Sequence, residues 1–259
     1  MTRLRRTRVL ALALAVAVLT LGACGTDPDE RGSADGERTL TVLAAASLTE
    51  SFDEIAELYE AEHDGVDLRL SYDSSSVLAE QVNQGSPADV LATADQKTMA
   101  SVVDQGNAQG DPQVFATNTL VIAVPPGNPG GVAGIGDLGK ATFAVCVPEA
   151  PCGDAAVRLL ALDGNDAKPT TEETNVKGVL TKVTLGEVDA GLVYRSDALA
   201  AGDAIETVDA ENASEVVNVN PITVLAGSRA TDDAQAFVDL VLSDEGQQIL
   251  ADHGFGPAT

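Results

Sequence analysis

Three points along this 259-residue chain put a small polar residue or a glycine where an apolar strand pattern gives way to a helical one. At the first, Ala44-Ala45-Ala46 leads into Ser47-Leu48-Thr49-Glu50, whose Ser-x-x-Glu spacing reads as a capping box. At the second, Ser74-Ser75-Ser76 precedes Val77-Leu78, and at the third, Pro151-Cys152-Gly153 opens a helix that carries Leu159 and Leu160. A weaker fourth lies at Thr174-Asn175-Val176. The first turn of a helix exposes N–H groups with no intrahelical partner, and the helix dipole there favours negative charge. Such positions can hold an anion. A serine at any one of them more often does no more than cap its helix. These residues by themselves point to an α/β binding protein, with an anion as the natural cargo.

The elements that must position them alternate. Residues 40–46 form a nearly unbroken apolar run, as expected of a strand buried on both faces. Phe52, Ile55, Ala56 and Tyr59 follow at helical spacing, ending near Asp64-Gly65. Strands are expected at 66–72 and 89–93, and helices at 77–82 and 97–103. A second series places strands at 120–124, 141–147 and 190–194, with helices at 153–162 and 175–185. A strand at 222–226 and a helix marked by Ala234, Phe237, Val238 and Val241 close the chain. This β-α-β-α order predicts parallel α/β sheets, whose ligands bind at the carboxyl ends of the strands. The order also suggests a chain that builds one lobe, crosses to a second and returns, although no internal repeat supports this directly.

Residues 1–8 carry Arg3, Arg5, Arg6 and Arg8 and no acid, and an apolar run of Ala, Leu and Val extends to Leu21. A basic segment followed by a short apolar stretch predicts a secretory signal over 1–23 rather than a membrane span. The stretch ends Leu21-Gly22-Ala23-Cys24, which resembles the lipobox of bacterial lipoproteins and makes Cys24 the expected lipidation site. Residues 24–37, rich in Gly, Asp, Ser and Pro, read as a solvated tether. Removing the four leader arginines from 15 basic residues leaves 11 against 40 acidic ones, a formal charge of −29. So acidic a chain is unsuited to nonspecific nucleic-acid binding.

Cys146 and Cys152 remain once Cys24 is assigned, and an even pair in an exported chain reads first as a disulfide and second as a metal pair. His63 and His253 offer no ligand spacing for a metal; both lie near glycines at helix ends and are expected to face the last carbonyls. If Cys146 and Cys152 are bonded, the bridge brackets the loop before the third helix start and holds the Cys152 N–H, unless it is only a structural staple.

Several blocks extend the helix starts. Ala44-Ala45-Ala46-Ser47-Leu48-Thr49, Ser74-Ser75-Ser76 with Leu78-Ala79, and Gly85-Ser86-Pro87-Ala88-Asp89-Val90 before Ala94-Asp95-Gln96 occur in order. Asn118-Thr119-Leu120-Val121 and Gly191-Leu192-Val193-Tyr194-Arg195-Ser196-Asp197 follow. Together these resemble the periplasmic molybdate-binding proteins of ABC importers across nearly all of the mature chain. The resemblance implies an α/β type II periplasmic-binding-protein fold, with two lobes joined by a hinge and the ligand in the cleft. It implies an oxyanion held by the hydroxyls of Ser47, Ser75 and Tyr194 and the main-chain N–H groups of Cys152 and Val176. Without it, Tyr194 would read as a strand-end core residue. Molybdate carries no proton at neutral pH, so its oxygens only accept hydrogen bonds, and fixed neutral donors suit it.

The chain departs from the family pattern in three places, one of them the pair Cys146 and Cys152 that brackets the loop. Asp73 stands before the serines where a small neutral residue is expected, and strand alternation should turn it away from the cleft. The loop 147–152 is slightly short, which leaves Gly153 as the alternative N–H donor.

The resulting expectation is an exported lipoprotein, anchored to the outer face of the cell membrane through Cys24. It would be a monomer without cofactor or enzymatic activity, passing molybdate or tungstate to an ABC permease and its ATPase. Lobes are expected at 38–118 with 221–259, and at 119–220. Sulfate or phosphate are alternative cargoes, and presentation of the ligand to a sensor is an alternative to import. An exported serine hydrolase is the remote alternative; no Gly-x-Ser-x-Gly occurs.

Overall fold

The computed structural model describes residues 38–258. The signal segment 1–23, the tether 24–37 and the lipidation site Cys24 lie outside the described residues. No described helix is long and apolar enough to cross a membrane.

The chain begins β1 (Arg38–Ala45), α1 (Thr49–Glu62), β2 (Val66–Asp73), α2 (Ser75–Asn83), β3 (Val90–Ala92), α3 (Gln96–Val103) and β4 (Gln113–Asn118). It continues β5 (Leu120–Val124), β6 (Phe143–Cys146), α4 (Pro151–Leu162), β7 (Thr171–Glu173), α5 (Val176–Thr184), β8 (Ala190–Tyr194), α6 (Arg195–Ala201) and β9 (Glu206–Val208). The last elements are β10 (Asn218–Val224), α7 (Thr231–Leu242) and α8 (Asp244–Asp252).

These strands make two five-stranded sheets, ordered β2-β1-β3-β10-β4 and β7-β6-β8-β5-β9. Each has three parallel strands extended by antiparallel ones: β10 runs against β3 and β4, and β5 against β8 and β9. The chain crosses from the first sheet to the second at Thr119, between β4 and β5. It returns between β9 and β10. The architecture is two α/β lobes with two crossings.

On one face of the first sheet, Phe52, Ile55, Ala56 and Tyr59 of α1 are buried at the spacing of one helical stripe. Phe52 stacks edge-on with Phe237 of α7 at 5.8 Å and packs at the same distance against Phe115 of β4. Burying each such ring contributes about 1.5–3 kcal/mol. On the other face, Leu78, Val82, Met99 and Val102 of α2 and α3 cover Leu43 and Leu91. In the second sheet, Gly191 lets α5 come close: a Cβ there would lie 2.8 Å from side-chain carbons of Val179 and Val183. That close approach seats the body of α5 against β8.

Three expectations need correction. The capping box does not form: Ala46–Leu48 is a 3-10 turn, α1 starts at Thr49, and neither Ser47 nor Leu48 caps it through a side chain. The last strand is β10 at Asn218–Val224 rather than 222–226, because Pro221 is accommodated at a register shift instead of ending the pairing. His63 does face a carbonyl of its helix, Tyr59 O at 2.9 Å, but the His253 ring bonds Glu54 at 2.8 Å, a nearby carboxylate outcompeting the helix end.

Candidate functional site

The carboxyl ends of the parallel strands from both sheets converge on one small cleft. From the first lobe it receives Ala45, Ala46 and Ser47 after β1, Asp73, Ser74 and Ser75 after β2, and Ala94 after β3. From the second it receives Pro151 and Cys152 at the start of α4, Asn175 and Val176 at the start of α5, and Tyr194 at the end of β8. Ser47, Ser75, Cys152, Val176 and Tyr194, scattered over the sequence, therefore line a single cavity and are all buried.

The hydrogen-bond capacity of these groups faces one way. Ser47 Oγ is buried and has no partner among the described residues, because the 3-10 turn relieved it of capping. Ser75 Oγ accepts the Ala94 N–H at 2.9 Å, which leaves its own proton to be donated. The Cys152 N–H stands in the first turn of α4, whereas the Gly153 N–H is donated to Ala150 O at 2.9 Å. Cys152 is thus the loop residue with a donor to spare. Val176 opens α5, behind Asn175, whose Oδ1 accepts Gly178 N–H at 3.2 Å as the helix cap. Burial raises the Tyr194 pKa well above its usual value, so the phenol stays a neutral donor.

Cys146 and Cys152 are joined in a disulfide, Cα atoms 5.7 Å apart, and this excludes the metal-pair reading for them. The bridge ties the end of β6 to the first turn of α4. Gly153 is obligatory beside it, because a Cβ there would overlap the Val147 carbonyl. Among the described residues no group of three or more His, Cys, Asp or Glu could hold a metal ion.

Asp73 does not turn away from the cleft as alternation along β2 predicts. It lines the cavity, and its Oδ1 accepts Ser74 N–H at 2.7 Å and the Asn175 side-chain amide at 3.1 Å. The strand ends at this residue, so pleat alternation no longer governs it, and the two donors hold the carboxylate at the rim. Asn175 thereby caps α5 with one end of its amide and joins the facing side of the cleft with the other.

A second link crosses beside it. Lys177 of α5 meets both Glu50 oxygens, at 2.8 and 2.7 Å, and lies 3.0 Å from Asp197 Oδ1. Burial lifts the Asp197 pKa to about 6 against the pull of Lys177. Burial opposes the Lys177 charge, but Asp197 and Glu50 outweigh it and its pKa is raised. Among the described residues no lysine or arginine lines the cavity itself. A site of buried hydroxyls and N–H groups without a cation can neutralise nothing; what it offers an anion is fixed hydrogen-bond donors. Neither histidine lines the cavity, so the serines lack the base that a hydrolase requires.

Sequence reasoning missed Asn218, Ala94 and the Lys177 cluster. Asn218 Nδ2 lies 3.0 Å from Ala94 O and 3.1 Å from Tyr194 Oη. No local pattern marks it. Asp197 stood in a quoted motif, but its burial against Lys177 is a tertiary fact.

A family model described as bacterial extracellular solute-binding protein matches residues 40–256. The molybdate-binding protein ModA of Mycobacterium tuberculosis (strain ATCC 25618 / H37Rv) is 40% identical over 253 residues, spanning 95% of this chain and 97% of that relative. The periplasmic molybdate-binding protein of Azotobacter vinelandii superposes with a TM-score of 0.76 at 20% identity, covering 85% of this chain and 100% of that one. The sulfate-binding protein SubI from Mycobacterium tuberculosis H37Rv does so with a TM-score of 0.74, also at 20% identity, over 85% of this chain and 87% of that one. At that identity the two structures speak for a shared two-lobed fold.

Proposed function

The chain belongs to the bacterial extracellular solute-binding protein family and is a binding protein rather than an enzyme, and from that premise we propose that it captures molybdate or tungstate and delivers it to an ABC importer. The observation that carries the reading is the convergence of Ser47, Ser75, Cys152, Val176 and Tyr194 on one cavity without a lining cation. A tetrahedral oxyanion without a proton offers acceptors only, and these five groups offer donors, while the Asp73 carboxylate in the lining is engaged by Ser74 and Asn175. The relative named for molybdate, alike over nearly its whole length, supports the same cargo.

In this reading residues 38–118 with 221–259, and 119–220, are the two bodies that close on the ion. Asn218, Val219 and Asn220 fall within 119–220 by these bounds, although they open β10 and pair with β4 in the first sheet. The importer's permease and ATPase are the partners, a monomer is the working unit, and Cys24 is the lipid anchor on the outer face of the membrane. Sulfate remains the competing cargo because it too is proton-free, and the fold it shares with a sulfate-binding protein keeps it in play. Size separates the two.

Titration calorimetry of the purified chain with molybdate, tungstate, sulfate and phosphate tests the reading. One site per chain, with molybdate and tungstate bound far more tightly than sulfate or phosphate, is expected. Preference for sulfate, or no heat with any of the four, would overturn it.

A further inference from the structure

We infer that Asn218 is a positioning residue that sets the direction of the Tyr194 hydroxyl, so that the hydroxyl can only donate into the cavity. The inference rests on the oxyanion reading above and names one contribution to its preference for proton-free ions.

The direction follows from which atoms can donate. Asn218 is 6% exposed and is the first residue of β10. One side of its amide meets the Ala94 carbonyl at 3.0 Å. A carbonyl can only accept, so that side must be the NH2 group. The same nitrogen lies 3.1 Å from Tyr194 Oη, and an amide NH2 cannot accept, so here the tyrosine oxygen is the acceptor. A phenolic proton prefers the ring plane and has two positions in it. With the Asn218 N–H at the oxygen, the proton is directed away from Asn218, and Tyr194 itself lines the cavity. The arrangement leaves Asn218 Oδ1 buried without a partner among the described residues, and flipping the amide would set that oxygen against Ala94 O.

The main chain of Ala94 directs a second hydroxyl in the same way. Its N–H is donated to Ser75 Oγ at 2.9 Å, as its carbonyl orients Asn218. One residue at the end of β3 thus turns two hydroxyl protons toward the ion. Hydrogen phosphate brings a proton that needs an acceptor; Ser75 Oγ and Tyr194 Oη each already accept an N–H, which makes them poorer acceptors for it, and Asp73 Oδ1 at the rim is already held by Ser74 and Asn175. Burial raises the Tyr194 pKa, so the phenolate does not supply an acceptor either.

The test is a double-mutant cycle read by calorimetry. Asn218→Ala should weaken molybdate binding roughly tenfold, the worth of one directed hydrogen bond. It should also raise the phosphate-to-molybdate affinity ratio, because the released hydroxyl can now accept. On a Tyr194→Phe background the same substitution should change molybdate affinity less than about twofold. Equal losses on the two backgrounds would assign Asn218 a purely structural role and overturn the inference. If melting curves show that Asn218→Ala does not fold, Asn218→Asp keeps the volume and offers an acceptor that draws the Tyr194 proton away. Its loss of affinity should likewise vanish with Tyr194→Phe, and a loss that persists there would count against the inference. Failure of the unaltered chain to bind molybdate or tungstate would instead refute the cargo, independently of Asn218.

Discussion

On the β1–β2 side of the cleft the groups aimed at the cavity are serine hydroxyls, whereas the facing side offers main-chain N–H groups at the starts of α4 and α5 beside the Tyr194 hydroxyl. The two solutions demand different support. A main-chain donor is directed by the backbone, so what must be right is the backbone path, and the second lobe secures it with a disulfide, a glycine and an asparagine cap. A hydroxyl can rotate, so what must be right is its other neighbour. Ser75 has one in the Ala94 N–H, whereas Ser47 has none among the described residues. The N–H groups are made rigid by covalent and steric means, and of the two serines only Ser75 is fixed, by a single hydrogen bond.

The largest effect should come from disturbing the rigid side. Gly153→Ala drives a Cβ into the Val147 carbonyl, and the loop can relieve this only by moving the Cys152 N–H. Overpacking of this kind costs about 1–3 kcal/mol of stability. The expected result is a lower melting temperature together with a loss of molybdate affinity of roughly a hundredfold, since small misplacements are expensive in a preorganised site. A normal affinity would show that α4 does not contribute a donor.

The two serines divide the hydroxyl side more finely. Ser75→Ala removes a hydrogen bond to the ion and also strands the buried Ala94 N–H. Affinity should fall about 10–100-fold and stability by about 1–3 kcal/mol. Ser47→Ala strands nothing, so it should lower affinity in the same range while leaving the melting temperature nearly unchanged. Calorimetry and thermal melts of both variants check this. Equal melting shifts would contradict the different roles assigned to their neighbours.

The smallest effect concerns the link between the sides. Asn175→Asp keeps an oxygen to cap α5 but sets two carboxylates against each other where Asn175 now bonds Asp73. At a partly exposed rim the penalty is about 1 kcal/mol, and release of molybdate should speed up roughly fivefold. Stopped-flow displacement measures it. An unchanged release rate would mean that the Lys177–Glu50 pair alone holds the rim closed.

The same contrast explains what the sequence made legible. The N–H side announces itself locally: Pro151-Cys152-Gly153 and Asn175-Val176 look like helix starts because a cap and a glycine are sequence-local requirements. The alternation of strands and helices was readable for the same reason, and the resemblance added Tyr194. Long-range geometry was not. The Ser47–Glu50 spacing suggested a capping box, but a 3-10 turn intervened and Glu50 found Lys177 across the cleft. Asp73 was assigned by alternation along a strand that ends at that residue. Asn218 is 24 residues from Tyr194 and 124 from Ala94, so no local pattern could reveal the bonds that direct the hydroxyl.

The most direct test of the central claim is a crystal structure of the chain grown with tungstate and measured for the metal's anomalous scattering. A single strong peak is expected, with oxyanion oxygens within hydrogen-bond distance of Ser47 Oγ, Ser75 Oγ, Tyr194 Oη and the N–H groups of Cys152 and Val176. A peak elsewhere, for instance in the surface depression lined by Arg38 and Arg229, with this cleft lacking one, would contradict it.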